Sequence, residues 1–283
     1  MLAIFRHYNI IPVFIFDGKP PPEKKELLLK RKESKQEAEK EYNKLKAHLE
    51  TNVVDNIEKQ EIISNMDTLK KNFVYISKNN IDNVKDLIRA YGATYYDAPG
   101  EADELCALLV IKHKVWACLS EDMDMFVYGC SRVLRYLSLL NKTAVLYDTK
   151  GILDSLGITQ KELREICVIS GTDYNYTHKN QCDSKNVPTL YKTLSYFKKY
   201  HKEKTHNKTN NLDSLEFYDW LRDKTDYIKD YEDLTKIYNL FELNNNEHRV
   251  LKNFENIKIM NGSIIKEDIH NIIQNEGFIF PKS

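Results

Sequence analysis

The chain has 283 residues, and its 42 Lys+Arg are balanced by 42 Asp+Glu, giving a formal net charge of zero. That length suffices for one or two domains with a sizeable buried core. The balance excludes attraction to a polyanion through the overall field, so any such partner must be held by local patches.

No apolar run approaches the roughly 20 residues that a membrane span needs, and nothing at the N-terminus resembles a leader, so a soluble intracellular protein with no membrane partner is expected. The five cysteines lack C-x-x-C spacing, and Cys106, Cys118 and Cys167 lie in apolar segments, as expected of reduced core residues. The histidines are dispersed without H-E-x-x-H pairing and are assigned to no metal.

Residues 1–8, MLAIFRHY, read as the end of a helix. Residues 10–16, IIPVFIF, form a continuous apolar run of the kind a buried strand shows, closed by Asp17-Gly18. Asp17 is then a strand-end carboxylate, although Asp-Gly after a strand is most often only a turn. The triple proline at 20–22 breaks the chain, and residues 23–71 are charged and helix-favouring. The basic groups Lys24, Lys25, Lys30, Arg31 and Lys32 open that stretch. They fit either a solvated helical hairpin or a basic helix that clamps phosphates beside Asp17. Their position directly after Asp17 favours the second for the first two turns, while residues 35–70 are mixed in sign and structural.

Residues 79–91 form an amphipathic helix with Ile81, Val84, Leu87 and Ile88 at core spacing, and ATYYDAP follows as a short strand. Within residues 97–124, Glu101, Asp103 and Glu104 open an apolar helix containing ALLVI, the apolar strand VWACL follows, and Asp122 and Asp124 come next. A buried helix and then a buried strand make half of a parallel βαβ unit, whose working groups collect at the carboxyl ends of the strands. Carboxylates gathered there need a counter-charge, and oxygen ligands suit Mg²⁺ or Mn²⁺. The alternative is that the first group complements a helix dipole and residues 121–124 form a solvated turn.

Residues 133–140 and 143–147 read as two strands joined by Asn141-Lys142, and residues 152–158 and 160–169 as helices running into SGTDYN. Asp173 there is either a further rim carboxylate or an Asx-turn residue. The Tyr- and Leu-rich helices of residues 212–243 read as core, and the ending DIHNIIQNEGFIFPKS as a short helix with an apolar tail packed on the body.

FIFDGKPPPEKK, YYDAPGEADELCA, LSEDMDMFVYG and ISGTDYN, in this order, resemble the flap endonuclease/XPG family of structure-specific 5′ nucleases. The resemblance implies an α/β fold: a parallel-sheet (PIN-like) nuclease core over residues 1–174, a helical arch at about residues 23–72, and a helical C-terminal region over residues 175–283. It further implies metal-dependent hydrolysis of DNA phosphodiesters at 5′ flaps or nicks, in replication and repair.

Asp17, Glu101, Asp103, Asp122, Asp124 and Asp173 match the family's carboxylates for two Mg²⁺ ions, with Mn²⁺ as a substitute. Asp103 stands where the family usually has Glu. Lys24 and Arg31 match the basic residues that act on the scissile phosphate, and Lys25, Lys30, Lys185 and Lys192 are candidate DNA contacts. The family's helix-two-turn-helix is degenerate here, since no glycine occurs between Gly171 and Gly262. Its N-terminal Gly, first central strand and one more ligand Asp lie ahead of the Asp17 motif and have no counterpart in this sequence. A catalytically inactive relative that binds branched DNA or a partner protein is therefore the alternative expectation.

No sliding-clamp-binding motif is evident, and the oligomeric state stays open. The nucleus is expected in a cellular eukaryote, and a cytoplasmic replication site otherwise. ACLSEDMDMF also resembles the D-x-D loop of aspartate-nucleophile phosphatases, but that resemblance explains neither Asp17 nor Glu101 and Asp103. The spacing of an EF-hand is not met.

Overall fold

The computed structural model describes residues 1–51, 55–175, 188–207, 216–243, 251 and 254–280. Helix α1 (Leu2–His7) leads into strand β1 (Val13–Phe16). The strand expected from residue 10 begins later, with Ile10 and Ile11 about half exposed, because Pro12 offers no N–H to a ladder. A 3₁₀ turn at Pro22–Lys24 runs directly into α2 (Lys25–Thr51), which packs on α3 (Asn56–Asn72). Asp55 caps α3, accepting the backbone N–H groups of Ile57 and Glu58 at 2.8 Å each. Helix α2 buries none of its residues and α3 only Ile62, as their dense charge implies.

Helix α4 (Lys78–Ala90) starts on a capping box between Ser77 and Asn80. Ile88 is buried as expected, but Ile81 and Val84 stay 37% and 48% exposed, because the buried core meets only the last turn of this helix. Strand β2 (Thr94–Asp97) pairs parallel with β1, placing Val13 opposite Thr94 and Phe16 opposite Asp97. Helix α5 (Ala102–Ile111) buries Leu105 and the run from Ala107 to Val110. Strand β3 (Cys118–Leu119) follows, then α6 (Asp124–Tyr128), β4 (Arg132–Ser138) and β5 (Thr143–Asp148).

The expected parallel pairing is present, but it is divided between two sheets. One holds β1 and β2; the other has the order β3-β4-β5, with β3 parallel and β5 antiparallel to β4. Helix α5 touches both β1 and β3 and so joins the sheets by packing instead of hydrogen bonds. The VWACL strand is shorter than its apolar run, and Trp116 is mostly exposed. Its carbonyl accepts from Arg132 Nε at 2.6 Å and its ring lies under that guanidinium at 4.9 Å, a stack that draws it to the surface.

The second half is helical: α7 (Thr149–Leu156), α8 (Gln160–Ser170), α9 (Leu190–Asn207), α10 (Phe217–Lys224) and α11 (Tyr231–Leu240). Phe217, Tyr218, Trp220, Leu221, Leu234 and Ile237 are buried, so the aromatic stripe is core, as its spacing indicates. The core continues from these helices through α8 to α5 and α6. No helix among the described residues is long and apolar enough to cross a membrane.

Helix α12 (Lys266–Asn275) packs on α4, but the tail beyond it does not bury itself as expected. Ile279 stays 89% exposed, because Phe278 and Phe280 pack on one another and Phe280 stacks on His270 instead of entering the core.

The segment before α12 is stitched to the start of the chain. Gly262 N–H donates to Gly92 O at 2.7 Å and Ile265 N–H to Ala90 O at 2.8 Å. Arg6 bridges the carbonyls of Tyr91 and Gly262 at 2.9 and 2.6 Å, and Asn261 reaches Ile10 O at 3.1 Å. Gly92 has φ +71°, and a Cβ there would lie 2.5 Å from Gly262 O. Gly92→Ala is therefore expected to cost about 1–3 kcal/mol in urea unfolding through backbone strain and overpacking. An unchanged midpoint would show that the strap contributes nothing to stability.

Candidate metal and phosphodiester site

Asp17 follows β1, and its Oδ1 accepts the backbone N–H of Ala102 at 2.8 Å, so it caps the helix that carries Asp103. Gly18 beside it donates to Gly100 O at 2.7 Å and leaves no space for a Cβ, which would lie 2.0 Å from Ala98 O. The Asp-Gly and Pro-Gly turns are thereby pressed together, and Asp17, Glu101 and Asp103 share one end of the fold.

Asp122 and Asp124 follow β3. Ser120 Oγ accepts from Asp122 N–H at 3.1 Å, and Asp122 Oδ1 from Asp124 N–H at 2.8 Å. Asp173 lies just past α8 in a turn bolted by the buried Asn175. The Asn175 Oδ1 accepts from Thr172 N–H at 2.6 Å and its Nδ2 donates to Val168 O at 2.6 Å.

Two cations, Lys24 at the end of the 3₁₀ turn and Arg31 of α2, enter this group. Lys24 Nζ hydrogen-bonds Glu101 and stands 3.8 Å from Asp173, and Arg31 Nη2 meets Asp173 Oδ2 at 3.0 Å. Burial alone would lower the Lys24 ammonium, but the hydrogen bond and charge of Glu101, with Asp173, outweigh it and hold the pKa above its ordinary value. Asp103 is pushed up to about 6, first by burial and then by the charges of Asp122, Asp17 and Glu101. Asp124 is pushed up to about 7, again by burial first and then by Asp122, Asp173 and Asp103.

The six sequence-selected carboxylates are thus brought into one electrostatic neighbourhood, together with Lys24 and Arg31. Among the described residues, no three Asp, Glu, His or Cys side chains stand close enough to enclose a metal as they lie. Glu101 and Asp173 are turned to Lys24 and Arg31 instead. The donor chemistry still fits a hard divalent cation: every donor is a carboxylate oxygen, and burial, with the neighbouring negative charge, raises the pKa of two of them.

Of the other candidates, Lys25 and Lys30 lie exposed on the first turns of α2. Lys192 lines a different cleft, between α9 and α10. Lys185 lies outside the described residues, as do residues 176–187 of the expected degenerate helix-two-turn-helix, whose later part falls in α9.

Two supports escape sequence reasoning. Arg135 Nη2 donates to Glu121 O at 2.9 Å, while Glu121 Oε1 accepts from Tyr136 N–H at 2.6 Å, which together grip the loop bearing Asp122 and Asp124. The alternation of β4 gives no sign of this grip. Asn175 carries a faint signal, as an amide residue closing GTDYN.

The chain matches two family models, the XPG N-terminal domain over residues 1–38 and the XPG I-region over residues 92–173. It is similar to Flap endonuclease 1-B of Sorghum bicolor, with 37% identity over 169 residues, covering 59% of this chain and 37% of the relative. Flap endonuclease 1 of Methanococcus aeolicus is 29% identical over 234 residues, covering 83% of this chain and 60% of the relative. The chain therefore spans less than two thirds of the length of these relatives.

Among solved structures, the catalytic core of Rad2 in complex with DNA substrate aligns with 98% of this chain and 77% of that one, at a TM-score of 0.60 and 16% identity. Flap endonuclease-1 from Methanococcus jannaschii aligns with 97% of this chain and 81% of that one, at a TM-score of 0.50 and 20% identity. At such identities the likeness concerns the fold alone.

In EDTA, the native state keeps protons on Asp103 and Asp124 that the unfolded chain releases near its ordinary value of 3.8. The stability tied to these groups is complete below that value and is lost as pH rises through about 6 and 7, by at most about 1.4 kcal/mol per pH unit for each proton. Urea midpoints of the parent should consequently fall relative to those of Asp124→Asn between pH 4.5 and 7.5. Parallel profiles would contradict this electrostatic account.

Proposed function

The chain belongs to the flap endonuclease/XPG family, and we propose from that membership and its acidic rim that it is a metal-dependent, structure-specific 5′ nuclease acting on DNA flaps or nicks. The observation that carries the reading is the joining of Asp17, Glu101, Asp103, Asp122, Asp124 and Asp173 into one field, with Lys24 and Arg31 set against it. Residues 1–174 would be the nuclease core, α2 and α3 its arch, and residues 175–283 a region that holds duplex.

Carboxylates alone suffice for this chemistry, because a pair of Mg²⁺ or Mn²⁺ ions supplies both an activated water and charge neutralisation for a phosphodiester. Asp122 and Asp124 come from one backbone-tied turn, and Asp17 and Asp103 from a capped helix start, so the two halves of the donor set are held by separate local devices. The Lys24 ammonium stays charged and can exchange Glu101 for a phosphoryl oxygen, where it stabilises developing negative charge. Arg31, more exposed and on the next turns of α2, offers its planar fork to the same or the adjoining phosphate. The matching curated relatives quoted above are themselves named endonucleases, and no observation here favours a non-catalytic reading.

The experiment is cleavage of a 5′-flap duplex with and without Mg²⁺. Asp122→Ala is expected to abolish cleavage, and Lys24→Ala to lower kcat about 10²–10³-fold with little change in flap affinity. Full cleavage by Asp122→Ala, or equal cleavage in EDTA, would sink the proposal.

A further inference from the structure

An open cleft of about 1220 Å³ lies between α9, α10 and the turn that follows α10, and none of its lining residues belongs to the acidic rim. Its charge is one-sided in a chain that is neutral overall. Lys192, Lys199, Lys224 and Lys229 line it, and Lys224 and Lys229 have no ion pair among the described residues. The acidic groups nearby are mostly committed. Glu203 accepts from Trp220 Nε1 at 2.7 Å, and Asp219 and Asp223 each hold Arg222 at 3.2 Å. Glu203 and Asp226 are the two acids on the lining, against five cations when Arg222 is counted with the four lysines.

A concave surface concentrates such a field, and lysines on a merely solvated helix would be spread over a convex one. The walls are also aromatic. Tyr191 is 85% exposed, with no ring contact among the described residues. Tyr196 leans on Tyr227 with ring centroids 4.7 Å apart, and Lys199 Nζ sits 5.5 Å from its centroid. The Tyr227 hydroxyl meets Thr193 Oγ1 at 2.9 Å, so this wall is fixed in place.

We propose that the cleft binds a single nucleic-acid strand, with bases stacked on Tyr191 and Tyr196 and phosphates on the lysines. Cations that follow a backbone beside exposed aromatic faces are the sequence-tolerant means of holding an unpaired strand. The choice of nucleic acid over another polyanion rests on the nuclease reading above; the cleft itself does not. A strand held here is gripped by groups that take no part in the acidic rim, so strand capture and hydrolysis are separable in this chain.

The test is fluorescence anisotropy of a labelled oligothymidylate with the full chain in EDTA, over a series of NaCl concentrations. Lys224→Ser/Lys229→Ser is expected to bind about 10-fold more weakly, with the slope of log K against log[salt] reduced by about 1.4, or 0.7 for each lost phosphate contact. Tyr191→Ala should weaken binding about 5-fold or more without changing that slope. Parent-like binding by both folded variants would overturn the cleft and leave Asp122-dependent flap cleavage untouched. Equal competition by inorganic polyphosphate of matched charge would overturn the strand reading in favour of plain anion binding. Failure of flap cleavage in Mg²⁺ would count against the nuclease and not against a binding result read in EDTA.

Discussion

The rim depends on repulsion among carboxylates that folding forces together. Asp103 and Asp124 are partly buried beside other acids, and neither ionises at its ordinary pH. Two cations, one just before α2 and one within it, relieve part of that repulsion, with Lys24 on Glu101 and Arg31 on Asp173. The first turns of an otherwise solvated helix are therefore tied to the site electrostatically, while the rest of α2 and α3 buries almost nothing. Where the charges meet, the hairpin is anchored; elsewhere its own helix contacts hold it.

The acids are brought together by short backbone devices more than by an extended sheet. The β1–β2 ladder is four residues long and the β3–β4 ladder only two. Helix α5, apolar on nearly every face, spans the two sheets and carries Asp103 on its first turn. The absence of space beside Gly18 fixes Asp17 against the entry to α5. Precision at the rim thus comes from close backbone approach and helix capping, which tolerate a thin sheet.

Much of this was legible in the sequence. Apolar runs closed by acids located Asp17, Asp122 and Asp124, and helix periodicity located α4, α5 and α8, because these signals are local. Where periodicity failed, the cause was tertiary. Ile81 and Val84 have core spacing but no core beside them, and Trp116 is drawn outward by Arg132. The division of the sheet could not be read from runs that look alike whether their ladders join or not. The grip of Arg135 on the acidic loop depends on a contact between β4 and the loop before α6, and no spacing rule reports it.

The strap from Gly262 to Ile265 has a consequence for the order in which the molecule can be built. Its partners Arg6, Ala90 and Gly92, and the Ile10 held by the adjoining Asn261, lie far away in sequence, with separations of up to 256 residues. Contacts so distant in sequence incur loop-closure entropy before they return any stability. During synthesis, α1, β1 and the entry to β2 emerge before residues 260–265 and receive their last hydrogen bonds only when those residues have left the ribosome. Elements made earlier are thus finished by a segment made much later.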